Sequence, residues 1–185
     1  MSEERRDDAE APDSRLVERA RAGDEAALTA LVRRHSGVAF GVALSMTRDE
    51  DIAQDVVQDA FIKAFGALDG FRGDASFKTW LLTITANEAR GALRKSRRRR
   101  ETALADAPQL EASGEDPAEA AVNASEAERA RNRLAELPEK QRLSVALRID
   151  EGLSFREIGE IIGSSEGAAR VNYVHGIRRL RELMG

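Results

Sequence analysis

Residues 163–180 read GSSEGAARVNYVHGIRRL, and this stretch supports two readings that lead to different proteins. Its first five letters fit the hydrolase pattern G-x-S-x-G, which would make Ser165 a nucleophile on a strained strand-to-helix turn. They also fit the turn and N-cap of the second helix in a helix-turn-helix. What precedes Gly163 separates the two. In SFREIGEII, 154–162, Ser154 and Glu157 have capping-box spacing, and Phe155, Ile158, Ile161 and Ile162 recur at helical spacing. A helix enters the turn where a hydrolase needs a strand. The histidine base is missing as well, since only His175 follows Ser165, and it lies on the same helical run.

The helix-turn-helix reading accounts for more residues. Gly163 supplies a left-handed turn residue, and Ser164 or Ser165 caps the next helix. Ala169, Tyr173, Gly176, Ile177, Leu180 and Leu183 then face inward. Arg170, Val171, Asn172, His175 and Arg178 fall on or beside the opposite face. These residue types suit base edges and phosphates in a major groove. An ordinary helical hairpin with a charged outer face has the same local pattern, so the rest of the chain decides.

Outward from this stretch, helical spacing dominates and the expected fold is all-α. The chain has 185 residues, room for two small domains. Two early helices are expected around Leu16–Val32 and Val38–Met46, a third over about 50–68, and a fourth opening at Asp74–Ser76. The segment ETALADAPQLEASGEDPAEAA, 101–121, has two prolines, few large apolar side chains and strong acidity. Such a composition reads as a flexible linker. Pro138 then suits the first turn of a new helix, where its missing N–H needs no partner. The expected organisation is a disordered tail over 1–13, a helical domain over 14–100, a linker over 101–123 and a second helical domain over 124–185.

The net charge of −4 hides a strong partition. Residues 1–14 sum to −4 and 101–128 to −8, while 15–100 sum to +5, 129–138 to +2 and 139–185 to +1. Two basic units joined by an acidic connector are compatible with a polyanionic partner. No run of apolar residues is long enough to span a membrane, and the charged N-terminus lacks the apolar core of a secretory signal. With no cysteine and two histidines, a thiolate or histidine metal site is not expected, and no cofactor motif is present.

The stretch 86–100, ANEARGALRKSRRRR, holds seven basic residues between Arg90 and Arg100. Asn87, Arg90, Arg94 and Arg98 share one helical face, with Lys95 and Arg97 beside it. One or two charges would complement a helix dipole, so the excess points to phosphate and base-edge contacts. Phe71, Phe77 and Trp80 flank a glycine-containing loop just upstream. They could stack unpaired bases, although Trp80 is better read as core. The preceding helix shows two apolar stripes. Val57, Phe61, Ala64 and Leu68 form one, and Ile52 and Val56 the other, with Asp55, Asp59 and Ile62 alongside. A second stripe fits either a partner surface or burial on two sides.

In this order, these segments resemble an extracytoplasmic-function (group IV) sigma factor of the sigma-70 family. DIAQDVVQDAFIKAF, 51–65, resembles the region 2 helix that docks on the β′ subunit of RNA polymerase. Residues 68–99 resemble the segment that melts and reads the −10 element, and 134–170 resemble region 4, which reads the −35 element. The resemblance implies a sigma region 2 bundle and a region 4 helix-turn-helix, an RNA polymerase sigma factor rather than an enzyme, and a bacterial cytoplasmic location. It implies three partners: core RNA polymerase through β′ and β, promoter DNA, and an anti-sigma factor. By position it assigns Asp55, Gln58, Asp59 and Phe61 to polymerase binding. Asn87, Arg90, Arg94, Lys95, Arg97 and Arg98 go to the −10 region, and Arg170, Val171, Asn172, His175 and Arg178 to the −35 region. The alternative is a sigma-like decoy that binds an anti-sigma factor without binding DNA. The arginine file at 90–100 speaks against it. Many family members carry an acidic residue where Gly91 stands, and a mid-helix glycine costs ~1 kcal/mol relative to alanine.

Overall fold

After the first, each helix in the first half starts where a side chain takes over N–H groups that have no intrahelical partner. The computed structural model describes residues 11–106 and 133–184. Helix α1 (Asp13–Arg21) is followed by a turn at Gly23 and by α2 (Glu25–Thr47). The Asp24 carboxylate caps α2 by accepting from the N–H groups of Ala26 and Ala27. A hydrogen bond from Arg19, followed by those backbone bonds, holds its pKa below the usual carboxylate value. Arg48 ends α2 in the left-handed conformation, and Asp49 caps α3 (Glu50–Gly66). After a 3-10 turn at Leu68–Gly70, Ser76 accepts from the Thr79 N–H as α4 (Phe77–Asp106) begins.

Three boundaries differ from the sequence reading. The break between the first two helices falls at Ala22–Asp24 and not between Val32 and Val38, because the Asp24 cap starts α2 there and the helix continues unbroken through Gly37 to Thr47. Residues 11–13, assigned to the tail, are ordered: Ala11 is buried, and Asp13 binds Arg34 at 2.5 Å and His35 at 2.8 Å. Burial raises the Asp13 pKa, but the hydrogen bonds from His35 and Arg34 outweigh it and hold the carboxyl below its ordinary value. Helix α4 also continues to Asp106, six residues into the expected linker. An Arg97–Glu101 ion pair at 2.8 Å and the Thr102 hydroxyl on the Arg98 carbonyl support the extra turns. Composition alone misses this, because no apolar stripe marks those turns. Linker residues 107–123 and the stretch 124–132, expected to be helical from Ala124, lie outside the described residues.

The second half holds α5 (Glu139–Ile149), α6 (Phe155–Ile162) and α7 (Glu166–Met184). Pro138 precedes α5, and its carbonyl accepts from Gln141 and Arg142. The expected capping box is present at the start of α6: Ser154 accepts from the Glu157 N–H, and the Glu157 carboxylate accepts from the Ser154 N–H. Gly163 ends α6 at φ 62° and ψ 55°, and the Ser165 hydroxyl accepts from the Ala168 N–H. Ser165 is a helix cap.

The halves pack on each other through one apolar cluster. Ala39, Val42, Ala43 and Met46 of α2, Val56 of α3, and Leu82 and Ala86 of α4 meet Leu143 and Leu147 of α5 and Ile158, Ile161 and Ile162 of α6. A second cluster, with Leu16, Leu31, Phe61, Phe77 and Leu81, lies wholly within the first half. Small residues on α2 and α4 let the helices of the second half come close, and dispersion grows with that contact.

Helices α5 and α7 come close at Gly176. A Cβ built there lies 2.7 Å from Val145 Cγ2 and 3.2 Å from the Gln141 carbonyl oxygen. Val145 is buried and β-branched, so it cannot easily rotate away. Gly176→Ala should therefore destabilise by about 1–3 kcal/mol, despite alanine's better helix propensity. At Gly91 only the far end of Arg94, at 3.9 Å, is near a built Cβ. Gly91→Ala should stabilise by ~1 kcal/mol. Urea unfolding of both variants checks the pair, and equal signs would contradict this packing.

Candidate nucleic-acid interface

Helix α4 presents its polar face in register. Asn87, Arg94, Lys95, Arg97 and Arg98 are exposed, while Ala86 and Ala89 are buried beneath them. Arg90 differs from the rest of its file. Its Nη1 donates to the Asn87 side-chain oxygen at 3.0 Å, and its Nη2 donates to the Ile161 carbonyl at 3.2 Å. The first-half arginine expected to face DNA thus caps the C-terminal end of α6, across the contact between halves. Sequence periodicity could not show this, because the carbonyl it meets is 71 positions away.

Upstream of the file, Phe77 is core at 2% exposed, while Phe71 and Trp80 are half-buried. Their ring centroids lie 4.8 Å apart. With Gly70, Arg72, Gly73, Asp74 and Ala75 they line an open cleft of about 320 Å³. Trp80 is therefore not simply core, as the sequence suggested. One side packs on Phe77, and the ring also reaches the loop cleft.

On α7, Arg170, Val171, His175 and Arg178 are exposed, and Ala169 and Gly176 are buried. Asn172 is half-buried, with its amide nitrogen donating to the Ala168 carbonyl at 2.9 Å. Its side-chain oxygen and its second amide N–H are left to face a ligand. The helix-turn-helix is close-packed at Gly159, where a built Cβ would lie 3.0 Å from the Ser164 carbonyl oxygen and from Ser165 backbone. The hydrophobic pattern alone does not single out that glycine.

On α3, Asp55, Gln58, Asp59 and Ile62 form an exposed strip, and Ile62 is 60% exposed. Phe61 does not belong to it. It is 7% exposed, and its ring packs 5.7 Å from Phe65 inside the first half. Val56 is also buried, and Ile52 packs on the shared cluster, so the second apolar stripe is internal. Burial on two sides is the correct alternative. What α3 offers outward is acidic, with one large apolar side chain.

The contact between halves is invisible in the sequence. Arg142 is 6% exposed; its Nε donates to the Ser45 carbonyl at 3.0 Å and to the Ser45 hydroxyl at 2.9 Å, and its Nη1 to the Leu137 carbonyl at 2.6 Å. Burial, and then the nearby Arg48 charge, lowers its pKa from the ordinary value. The Thr79 hydroxyl donates to the Glu157 carboxylate at 3.0 Å, and Lys78 pairs with Glu151. Burial pushes the Glu157 pKa up, but hydrogen bonds from Ser154 and Thr79 bring it below the usual value. A basic residue directly before the apolar run that starts at Leu143 is the one available hint of Arg142. Among the described residues, no cluster of three or more metal-ligand side chains occurs, and no helix is long and apolar enough to cross a membrane.

A model of sigma-70 region 2 matches residues 31–99, and one of sigma-70 region 4 matches residues 133–182. The chain is 34% identical to the RNA polymerase sigma-H factor of Pseudomonas aeruginosa, covering 85% of this chain and 86% of that protein. The chain belongs to the sigma-70 family. It is 36% identical to the ECF RNA polymerase sigma-E factor of Haemophilus influenzae, covering 93% of each chain. The sigma-E factor of Escherichia coli K12 is 35% identical over 85% of this chain and 86% of that protein. These relatives make the chain an RNA polymerase sigma factor of the extracytoplasmic-function branch, a regulatory protein of transcription initiation. Among solved structures, CnrH in complex with the cytosolic domain of CnrY matches with a TM-score of 0.67 and 27% identity over 93% of this chain and 96% of that one. The sigma factor RpoE in complex with the anti-sigma factor NepR from Bartonella quintana matches with a TM-score of 0.64, also at 27% identity, over 83% and 93%.

The exposed cations of α4 carry an electrostatic signature. Neutralising Arg94, Arg97 and Arg98 together should weaken holoenzyme binding at all promoters alike. It should also flatten the dependence of log K on log salt by about 0.9 for each duplex phosphate that is no longer neutralised. A salt series by fluorescence anisotropy measures this, and an unchanged slope would make the cluster a solvated helix end.

Proposed function

We propose that this sigma factor joins core RNA polymerase through the acidic strip of α3, with Asp55, Gln58 and Asp59 as contacts. The α7 face, Arg170, Val171, Asn172, His175 and Arg178, reads the −35 element in the major groove. The α4 face, Asn87, Arg90, Arg94, Lys95, Arg97 and Arg98, engages the −10 element. One observation carries the reading: a single chain holds two cationic, amide-bearing helix faces, one in each matched region, and a separate acidic helix face that neither covers. No covalent chemistry is assigned to the protein, and its place of action is the bacterial cytoplasm, where the polymerase works.

The energetics suit a melting role. Separating a base pair costs roughly 1–2 kcal/mol per step, and stacking a captured base returns about 1–3 kcal/mol. The Phe71–Trp80 cleft offers aromatic surface for such a base. The two elements lie ~25 base pairs apart, roughly 85 Å of duplex. In the docked chain, however, Arg90 of α4 is 3.2 Å from the end of α6. Reading both elements requires the halves to separate and frees Arg90 for DNA. An anti-sigma factor is a fitting further partner, since the structural relatives RpoE and CnrH were solved with NepR and with the cytosolic domain of CnrY.

The direct test is transcription in vitro. The chain with core polymerase should give promoter-dependent transcripts, and neither component alone should. Asp55→Lys with Asp59→Lys should abolish core binding in a pull-down, with helix content and melting nearly unchanged because both side chains face solvent. Strong destabilisation, or retained core binding, would contradict the assignment of this strip.

A further inference from the structure

Phe155 belongs to the α6 apolar stripe, yet it is only half-buried. Its ring carries two cations: the Arg170 guanidinium carbon lies 4.9 Å from the centroid, and that of Arg148 lies 5.0 Å away. Tyr173, one turn beyond Arg170 on α7, packs 5.5 Å from the same ring. Arg148 has a second anchor, donating to the Leu153 carbonyl at 2.7 Å in the turn before α6. The other polar partner of Arg170 is Glu166, one turn back, at 3.2 Å. Both members of that pair are more than half exposed, at 60% and 54%, so water and salt screen it.

We infer that Phe155 is a positioning residue for sequence reading: its ring holds the Arg170 guanidinium in the orientation that meets a base edge of the −35 element. The inference rests on the sigma reading of α7 given above. A guanidinium reads guanine by two parallel hydrogen bonds, which demand a fixed plane. A free arginine loses much rotamer freedom on making them, and a side chain already held loses less. The ring can hold it because the π face attracts the cation while leaving its N–H edge available. Phe155 lies on α6 and Arg170 on α7, so the relative seating of the two helices sets the angle of the reading side chain. The capping box at Ser154, directly before Phe155, fixes where that ring stands.

The test uses the full chain with core polymerase and a promoter library randomised across the −35 element. Phe155→Leu keeps apolar volume and removes the π face, Phe155→Tyr keeps the face, and Arg170→Ala removes the reader. Phe155→Leu should relax the preference at one position by about two- to fivefold, the strength of an exposed cation–π contact. Arg170→Ala should alter that same position, and Phe155→Tyr should restore it. In the free chain, the Arg170 side-chain N–H resonance should lose its ring-current shift in Phe155→Leu. A uniform fall in initiation with unchanged base preferences would overturn the inference and leave Phe155 a packing residue. So would an Arg170→Ala chain with wild-type preferences, or a resonance that does not move. Failure of the wild type to initiate anywhere would instead overturn the sigma reading, and this inference with it.

Discussion

A single buried guanidinium organises the relation between the two halves. Arg142 reaches from α5 into the last turn of α2, where it takes the Ser45 carbonyl. It simultaneously holds the Leu137 carbonyl at the entry to its own helix. No carboxylate is among its hydrogen-bond partners. The cation is compensated by carbonyls and the Ser45 hydroxyl, with the negative end of the α2 dipole adding to the attraction. Beside this bond, alanines on the first half pack against leucines and isoleucines on the second. A buried charge of this kind adds less net stability than it adds definition: moving the halves would strand a donor set and several acceptors together.

That docking decides which surfaces the protein offers. Arg90 is occupied by the end of α6, so one member of the α4 cationic face is tied to the second half. The acidic strip of α3 takes no part in the contact. In the proposed function, polymerase therefore meets a surface that is already open, and DNA meets one that opens later.

Much of this is legible in the sequence where the physics is local. The capping box, the left-handed turn at Gly163 and the cap at Ser165 are each set by residues within four positions, and the structure bears them out. The exposed faces of α4 and α7 follow from helical periodicity. What fails depends on distant partners. Periodicity shows α3 with two apolar stripes but cannot tell a partner from the protein's own second half; Phe61, assigned to polymerase by resemblance alone, lies buried in the first half. Asp13 reads as tail because its partners, Arg34 and His35, lie 21 and 22 positions away. Composition ends the fourth helix at Arg100, though an Arg97–Glu101 pair carries it further. The clamp at Arg142 is beyond reach, since an arginine at the head of a short apolar run does not name the carbonyl it will meet.

In the proposed function, the free chain is closed across its two halves and opens when it reads a promoter. The chain has no cysteine, so two can be introduced as unique labels. Glu18 on α1 and Glu160 on α6 are both exposed and belong to neither assigned DNA face. Electron–electron distance measurements on spin labels at Glu18→Cys and Glu160→Cys should give one narrow distribution in the free chain. In the complex with core polymerase and promoter DNA the distribution should move to a distinctly longer distance. A broad distribution in the free chain, or the same distance in the promoter complex, would contradict the account.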